Sequence, residues 1–185
     1  MEHSDNRPGD NGPGDSVDFC TSDITSRYPE IDPLVEGVVS RMSTIGKYLS
    51  RSFDQTLADY GLNHGEYRLL LRLATRSADN RMSAGDLSRA LTLSSGAMTN
   101  RLDRLETAGL VRRVADPRDR RGVLVELTDE GKRQIDAAVI EQAAKEIDSM
   151  AVLKPRELST LNDLLRKVLV SLEAADNPAV QRVGA

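Results

Sequence analysis

Apolar residues recur at three- and four-residue steps through Val35, Val38, Met42, Ile45, Leu49, Phe53 and Leu57, a spacing that predicts one long amphipathic helix. Asp32 is placed to cap it, Pro33 suits its first turn and Gly61 ends it, giving a length on the order of 40 Å at about 1.5 Å per residue. Asn63 and Glu66 form the pattern of a capping box, opening a second helix through Tyr67, Leu70, Leu71 and Ala74. After the loop "RSADNR", with room for a short strand at Arg81 and Met82, two short helices follow closely. The first starts near Ser83 and Asp86 and carries Leu87, Ala90 and Leu91; the second runs over about 95–108 and ends at Gly109.

The pattern then changes from helical to strand-like. Residues 111–114 lead out, "DPRDRRG" turns, and Val123, Val125 and Leu127 return in period-two alternation, which predicts a hairpin. Thr128 is placed to cap the next helix, with Asp129 and Glu130 in its first turn. Ile135, Ala138, Gln142, Ile147 and Met150 mark that helix, and Leu158, Leu161, Leu165, Val168 and Leu172 mark a last one opening at Pro155. The last set steps 3, 4, 3, 4, the narrow seam of a helix that packs along another. Either a contact within the chain or a shared two-chain interface satisfies it.

Composition changes this picture in one respect. The 185 residues are 39% hydrophobic, 29% charged and only 3% aromatic, with no Trp and one Cys, so an aromatic-lined enzyme pocket is disfavoured and an internal disulfide excluded. No apolar run reaches the roughly 18 residues of a membrane span and the acidic start lacks signal-peptide character, which predicts a soluble cytoplasmic protein. The formal net charge is -4, yet residues 1–33 hold eight acids against two arginines, leaving the remainder at +2. That opening stretch is rich in Gly, Pro and Asp and is expected to be a disordered acidic tail over 1–31, with Phe19, Ile24 and Tyr28 available to dock further along.

Helix, turn, helix and basic hairpin is the layout of a winged helix. At 100° per residue Met98, Leu102 and Leu105 turn inward, while Gly96, Thr99, Asn100, Asp103 and Thr107 turn outward with Arg104 on the flank. A small, hydrogen-bonding face near a helix N-terminus suits a major groove, where Thr99 and Asn100 meet base edges, Arg104 a guanine or phosphate, and the first amides a phosphate. Residues 98–121 hold seven arginines and four acids, a local +3. An arginine at the hairpin tip suits a minor groove, and Asp119 stands two residues before Arg121, placed to orient it.

"LTLSSGAMTNRLDRLETAGLVRR" followed by "DPRDRRGVLVELTDEG" resembles the multiple-antibiotic-resistance regulator (MarR) family of bacterial transcription factors, over roughly residues 34–173. The resemblance implies a mainly α fold with a small β wing, a homodimer joined through a helical dimerisation region, and a recognition helix and wing that read double-stranded DNA at a pseudo-palindromic operator. The implied layout is a tail over 1–31, a dimerisation region over 32–61 and 129–173, a winged helix-turn-helix lobe over 62–128, and a C-terminal tail over 174–185. Implied DNA contacts are Ser94, Ser95, Gly96, Thr99, Asn100, Arg101 and Arg104 on the recognition helix, and Arg118, Asp119, Arg120 and Arg121 on the wing. Lys154 stands where members commonly carry Ser before the Pro, removing a cap worth about 1 kcal/mol.

Within the family the chain is similar to an N-terminally extended branch of urate-responsive and trans-aconitate methyltransferase regulators, although it lacks the Trp of the urate-type pocket. That likeness implies repression relieved by a small carboxylate or phenolic ligand, with Lys47, Tyr48, Arg51, His64, Tyr67, Arg68 and Arg72 as candidate contacts. Arg68 and Arg72, one helical turn apart, suit a carboxylate.

A catalytic reading has little to rest on. His3 and His64 are the two histidines, too few for a metal cage or a His-dependent triad with ordinary ligands, and no cofactor is expected. Cys20 lies in the acidic "SVDFCTSD", which disfavours a thiolate and predicts an inert thiol. The alternative function is a helical dimer acting as a protein-interaction module without DNA binding.

Overall fold

The computed structural model describes residues 14–76, 81–119 and 122–176. The chain forms two compact units, Met1–Arg51 and Ser52–Ala185.

In the first unit, helix α1 spans Ser16–Arg27. The expected disorder of 1–31 is therefore corrected from Ser16 onward. Composition underestimated local capping: the Asp15 carboxylate accepts the amides of Val17 at 2.9 Å and Asp18 at 3.2 Å, and Asp18 accepts the Asp15 amide at 2.9 Å. Arg41 adds a charge-assisted clasp, donating from Nε to Asp15 at 2.8 Å and from Nη2 to Asp18. The Arg41 guanidinium holds the Asp15 carboxyl below its ordinary range. Val17 is the buried residue of α1, whereas Phe19 and Tyr28 are exposed and Ile24 half-buried, so docking falls to a residue other than those expected.

Helix α2 spans Pro33–Asp59, and the Asp32 carboxylate caps it by accepting the Leu34 amide at 2.8 Å and the Val35 amide at 3.2 Å. Within the first unit Leu34, Val35, Val38, Val39, Met42 and Ile45 are all exposed.

The second unit begins in the last turns of α2, where Leu57 and Thr56 are buried, and turns at Gly61 with φ +64. Helices α3 (His64–Arg76), α4 (Ala84–Leu91) and α5 (Ser95–Thr107) follow, with strand β1 (Arg81–Ser83) before α4. The caps at Asn63, which accepts the Gly65 and Glu66 amides, and Ser83, which accepts the Asp86 amide, match their sequence signals. Ser94, expected only as a DNA contact, caps α5 by accepting the Ala97 amide. The α4–α5 turn passes through Thr92 at φ 53, a left-handed conformation that costs a non-glycine residue about 1–2 kcal/mol.

Strands β2 (Val111–Ala115) and β3 (Val123–Leu127) form the hairpin, and the antiparallel sheet has the order β1-β3-β2. Leu69, Leu70 and Leu73 of α3, Leu87 of α4, and Met98, Leu102 and Leu105 of α5 pack with Val111, Val125 and Leu127 into one core. Helix α6 (Asp129–Met150) joins it through Ile135. Its entry is locked: the Thr128 hydroxyl lies 2.8 Å from the Gly109 carbonyl and 3.1 Å from that of Leu110, and it accepts the Gly131 amide at 2.9 Å. Gln142 is not an apolar-type contact. It is buried and accepts from the equally buried Thr56 hydroxyl at 2.9 Å, in a network that Lys145 joins at 2.9 Å.

Helix α7 spans Pro155–Asp176 and buries no residue. Lys154 does not cap it through its side chain, but Glu157 accepts the Lys154 amide at 2.7 Å, the reciprocal half of a capping box. The whole expected seam, Leu158, Leu161, Leu165, Val168 and Leu172, is exposed, as is Ile147 of α6. Among the described residues no helix is long and apolar enough to cross a membrane.

Candidate nucleic-acid interface

Helix α5 presents the two faces its sequence implies. Met98, Leu102 and Leu105 are buried, while Ser94, Ser95, Gly96, Thr99, Asn100, Asp103 and Thr107 are exposed. Ser94 is committed as the N-cap, accepting the Ala97 amide at 3.3 Å, so its side chain serves the helix. The Ser95 and Gly96 amides precede any intrahelical acceptor and sit at the positive end of the helix dipole. The Thr99 hydroxyl donates to the Ser95 carbonyl at 3.0 Å, which leaves a methyl group and acceptor lone pairs facing outward.

The arginines divide into two groups. Arg112 of β2 donates from Nε to Glu126 at 2.5 Å, and Arg81 of β1 reaches the same carboxylate at 2.7 and 3.1 Å. Arg113 grips α5 itself, donating to Asp103 at 2.6 Å and to Glu106, whose carboxylate also accepts the Arg113 amide at 3.0 Å. Arg104 Nε lies 3.0 Å from Glu66 Oε1, and Arg101 is half-buried with its guanidinium over Gly65, where a Cβ would stand 2.3 Å away. Of these, Arg101, Arg104, Arg112 and Arg113 lie within 98–121 and are structural in whole or in part, so the local +3 overstates the charge available at the surface. Glu66 and Glu126, both buried, supply the missing negative charge from outside the 98–121 window.

The second group sits at the hairpin tip. Arg118 is exposed, and its amide donates to Asp116 Oδ1 at 2.8 Å, setting the turn. The Asp119 carbonyl accepts the Gly122 amide at 2.8 Å, and the Asp116 amide donates to the Gly122 carbonyl at 2.9 Å. A Cβ at Gly122 would stand 2.9 Å from that of Asp116, so this close turn requires glycine. Arg120 and Arg121 lie outside the described residues.

Sequence reasoning missed the two glutamates. Glu126 was legible in principle, because the hairpin register sets it directly opposite Arg112, an opposite-charge cross-strand pair. Glu66 was recognised for its cap, and its carboxylate does accept the Asn63 amide at 2.9 Å; its partnership with Arg104 had no local signal.

The lobe so built matches known proteins. The profile described as MarR family matches residues 62–123. The HTH-type transcriptional regulator PecS of Dickeya dadantii (strain 3937) is 32% identical over 151 residues, covering 80% of this chain and 91% of PecS. The chain belongs to the MarR family. The multiple antibiotic resistance protein MarR of Escherichia coli (strain K12) is 30% identical over 155 residues, covering 80% of this chain and 97% of that protein. Its apo crystal structure superposes with a TM-score of 0.56 at 28% identity, covering 76% of this chain and 99% of that one. A mutant S. aureus MepR solved bound to an oligodeoxyribonucleotide shares the fold, with a TM-score of 0.60 at 23% identity over 73% of this chain and 97% of that one. The chain is thus a MarR-family transcription regulator with a winged-helix lobe, and the relatives named here are regulators, not enzymes.

The candidate ligand contacts of this MarR-family chain fall in both units. In the first, Lys47, Tyr48 and Arg51 are exposed on α2, with the Arg51 guanidinium 6.0 Å from the Tyr48 ring centre. In the second, His64 Nε2 lies 2.7 Å from Asp54, and the rings of His64 and Tyr67 meet Phe53 edge-on at 4.8 and 4.9 Å. Burial, and then the nearby Glu146 charge, push the Tyr67 hydroxyl up from its ordinary range. Arg68 is exposed, whereas Arg72 is half-buried and its Nε is enclosed without a hydrogen-bond partner among the described residues.

Proposed function

We propose that this chain binds a pseudo-palindromic DNA operator as a cytoplasmic homodimer and represses transcription until a small organic anion releases it. The observation that carries this reading is the exposed polar face of α5, held by Arg113 against the hairpin that bears the arginine-rich tip. In the major groove Asn100 pairs with a base edge, Thr99 offers its methyl group and acceptor oxygen, and the Ser95 and Gly96 amides take a phosphate. At the tip Arg118 and Arg120 meet the backbone, and Arg121, oriented by Asp119, enters the minor groove. A MepR mutant of the same fold was solved bound to an oligodeoxyribonucleotide, which supports DNA as the partner.

Dimerisation follows from the apolar surface. The seam on α7 and the α2 face from Leu34 to Ile45 leave large side chains in water, and a second copy is the occupant that would cover them. Residues 32–61 and 129–173 then form the dimerisation region and 62–128 the reading lobe, with half-sites roughly 10 bp apart. The anion reading rests on Arg72. An enclosed guanidinium nitrogen without a partner is costly, and a carboxylate or phenolate near Arg68 and Tyr67 would satisfy it. Release follows if the ligand prefers the conformation that fits DNA less well.

The test is Arg121→Ala on operator DNA. Affinity for the operator is expected to fall about tenfold, as loss of a groove-inserted arginine does. Unchanged binding overturns the wing assignment. A thermal-shift screen of carboxylates and phenols, repeated with operator present, tests release; no stabilisation by any anion removes the ligand from the proposal.

A further inference from the structure

Glu66 is a carboxylate whose side chain is only 4% exposed, at the start of α3, and burying a charge there demands partners. One oxygen accepts the Asn63 amide at 2.9 Å, and the other lies 3.0 Å from Arg104 Nε. The Arg104 side chain is nonetheless 70% exposed. Beside it, Arg101 fills the space over Gly65, so two guanidinium groups from α5 rest on the first turn of α3. The positive end of a helix dipole repels cations, and Glu66 is the group that reverses the local sign.

We infer that Glu66 is a positioning residue for DNA recognition: its buried carboxylate pairs with Arg104 and anchors that guanidinium while the side chain stays exposed to a guanine edge or a phosphate. This rests on the DNA-binding reading above. A guanidinium held in place loses less side-chain freedom on docking, and the gain falls on the site where fork geometry matters, the bidentate contact. Glu66 therefore raises specific affinity without touching DNA itself.

The experiment is a double-mutant cycle on the full chain: wild type, Glu66→Gln, Arg104→Ala and the pair, each titrated with operator duplex and an unrelated duplex at several salt concentrations. Glutamine keeps an oxygen for the Asn63 amide, and thermal melts confirm that each variant is folded. Glu66→Gln is expected to weaken operator binding about tenfold when Arg104 is present and not at all when it is alanine. Binding to the unrelated duplex is expected to stay constant or rise, because the arginine charge is no longer offset. Equal losses in both backgrounds would assign Glu66 a merely structural role and overturn the inference, as would no loss in either. A wild-type protein that ignores every duplex would overturn the DNA reading first, and this inference with it.

Discussion

At the residue scale, buried charge is the feature that organises the winged lobe. Glu126 accepts from Arg112 on one neighbouring strand and Arg81 on the other, and these guanidinium groups, Arg112 first, pull its carboxyl down to about 2 from an ordinary 4.5. A carboxylate with a depressed value stabilises the fold above its unfolded value, and that contribution is lost as pH falls toward the folded value. Urea titrations are therefore expected to show stability declining between about pH 4.5 and 2, and Glu126→Gln to make that limb shallower while lowering stability at neutral pH. A pH profile identical in the variant would remove Glu126 as its source. Gly131 is a second single-residue test. A Cβ there would stand 2.0 Å from the Leu110 carbonyl oxygen, in backbone that cannot swing aside. Gly131→Ala is expected to cost about 1–3 kcal/mol in chemical denaturation, as overpacking does.

Such residues also mark where the sequence was readable and where it was not. The inward and outward faces of α5, the caps at Asn63, Ser83 and Thr128, and the glycine turns at Gly61 and Gly109 all follow from local spacing and chemistry. The pairings of Arg104, Arg112 and Arg113 do not, because they depend on which elements meet. Counting charge within 98–121 treated as available several arginines whose partners lie on α3, β3 and α5. The lasting candidates for outward charge are thus the tip residues, with Arg104 partly engaged.

At the element scale, α1 is the clearest departure. Its acidic, Gly- and Pro-flanked sequence suggested a featureless tail, but one capping aspartate and one arginine across on α2 are enough to hold a helix. Asp15→Ala removes both the cap and half of the clasp. Faster amide exchange is expected through residues 16–27, with 84–127 unaffected; unchanged protection of α1 would mean that other contacts hold it. Helix α7 makes the opposite case. Its seam was legible as an interface, but spacing cannot say with whom, and Leu158, Leu161, Leu165, Val168 and Leu172 are exposed. Leu165→Glu, on that seam, is expected to convert a dimer to monomer in sedimentation velocity while leaving the winged lobe folded; a dimer that persists would place the interface elsewhere.

At the scale of the whole molecule, acidity and DNA binding are reconciled by segregation. The acids concentrate in 1–33, while the winged lobe carries arginines and spends its own acids on fixing them. Affinity should then respond to salt as a phosphate-binding surface does, despite a net charge of -4. The most direct measurement is the stoichiometry and salt dependence of binding to a duplex from the protein's own genomic neighbourhood, followed by sedimentation of the labelled DNA. Two chains per duplex are expected, with affinity falling steeply from low to moderate salt. A monomer at micromolar concentration, or no duplex bound even in dilute buffer, would contradict the assignment of this fold to paired-groove recognition.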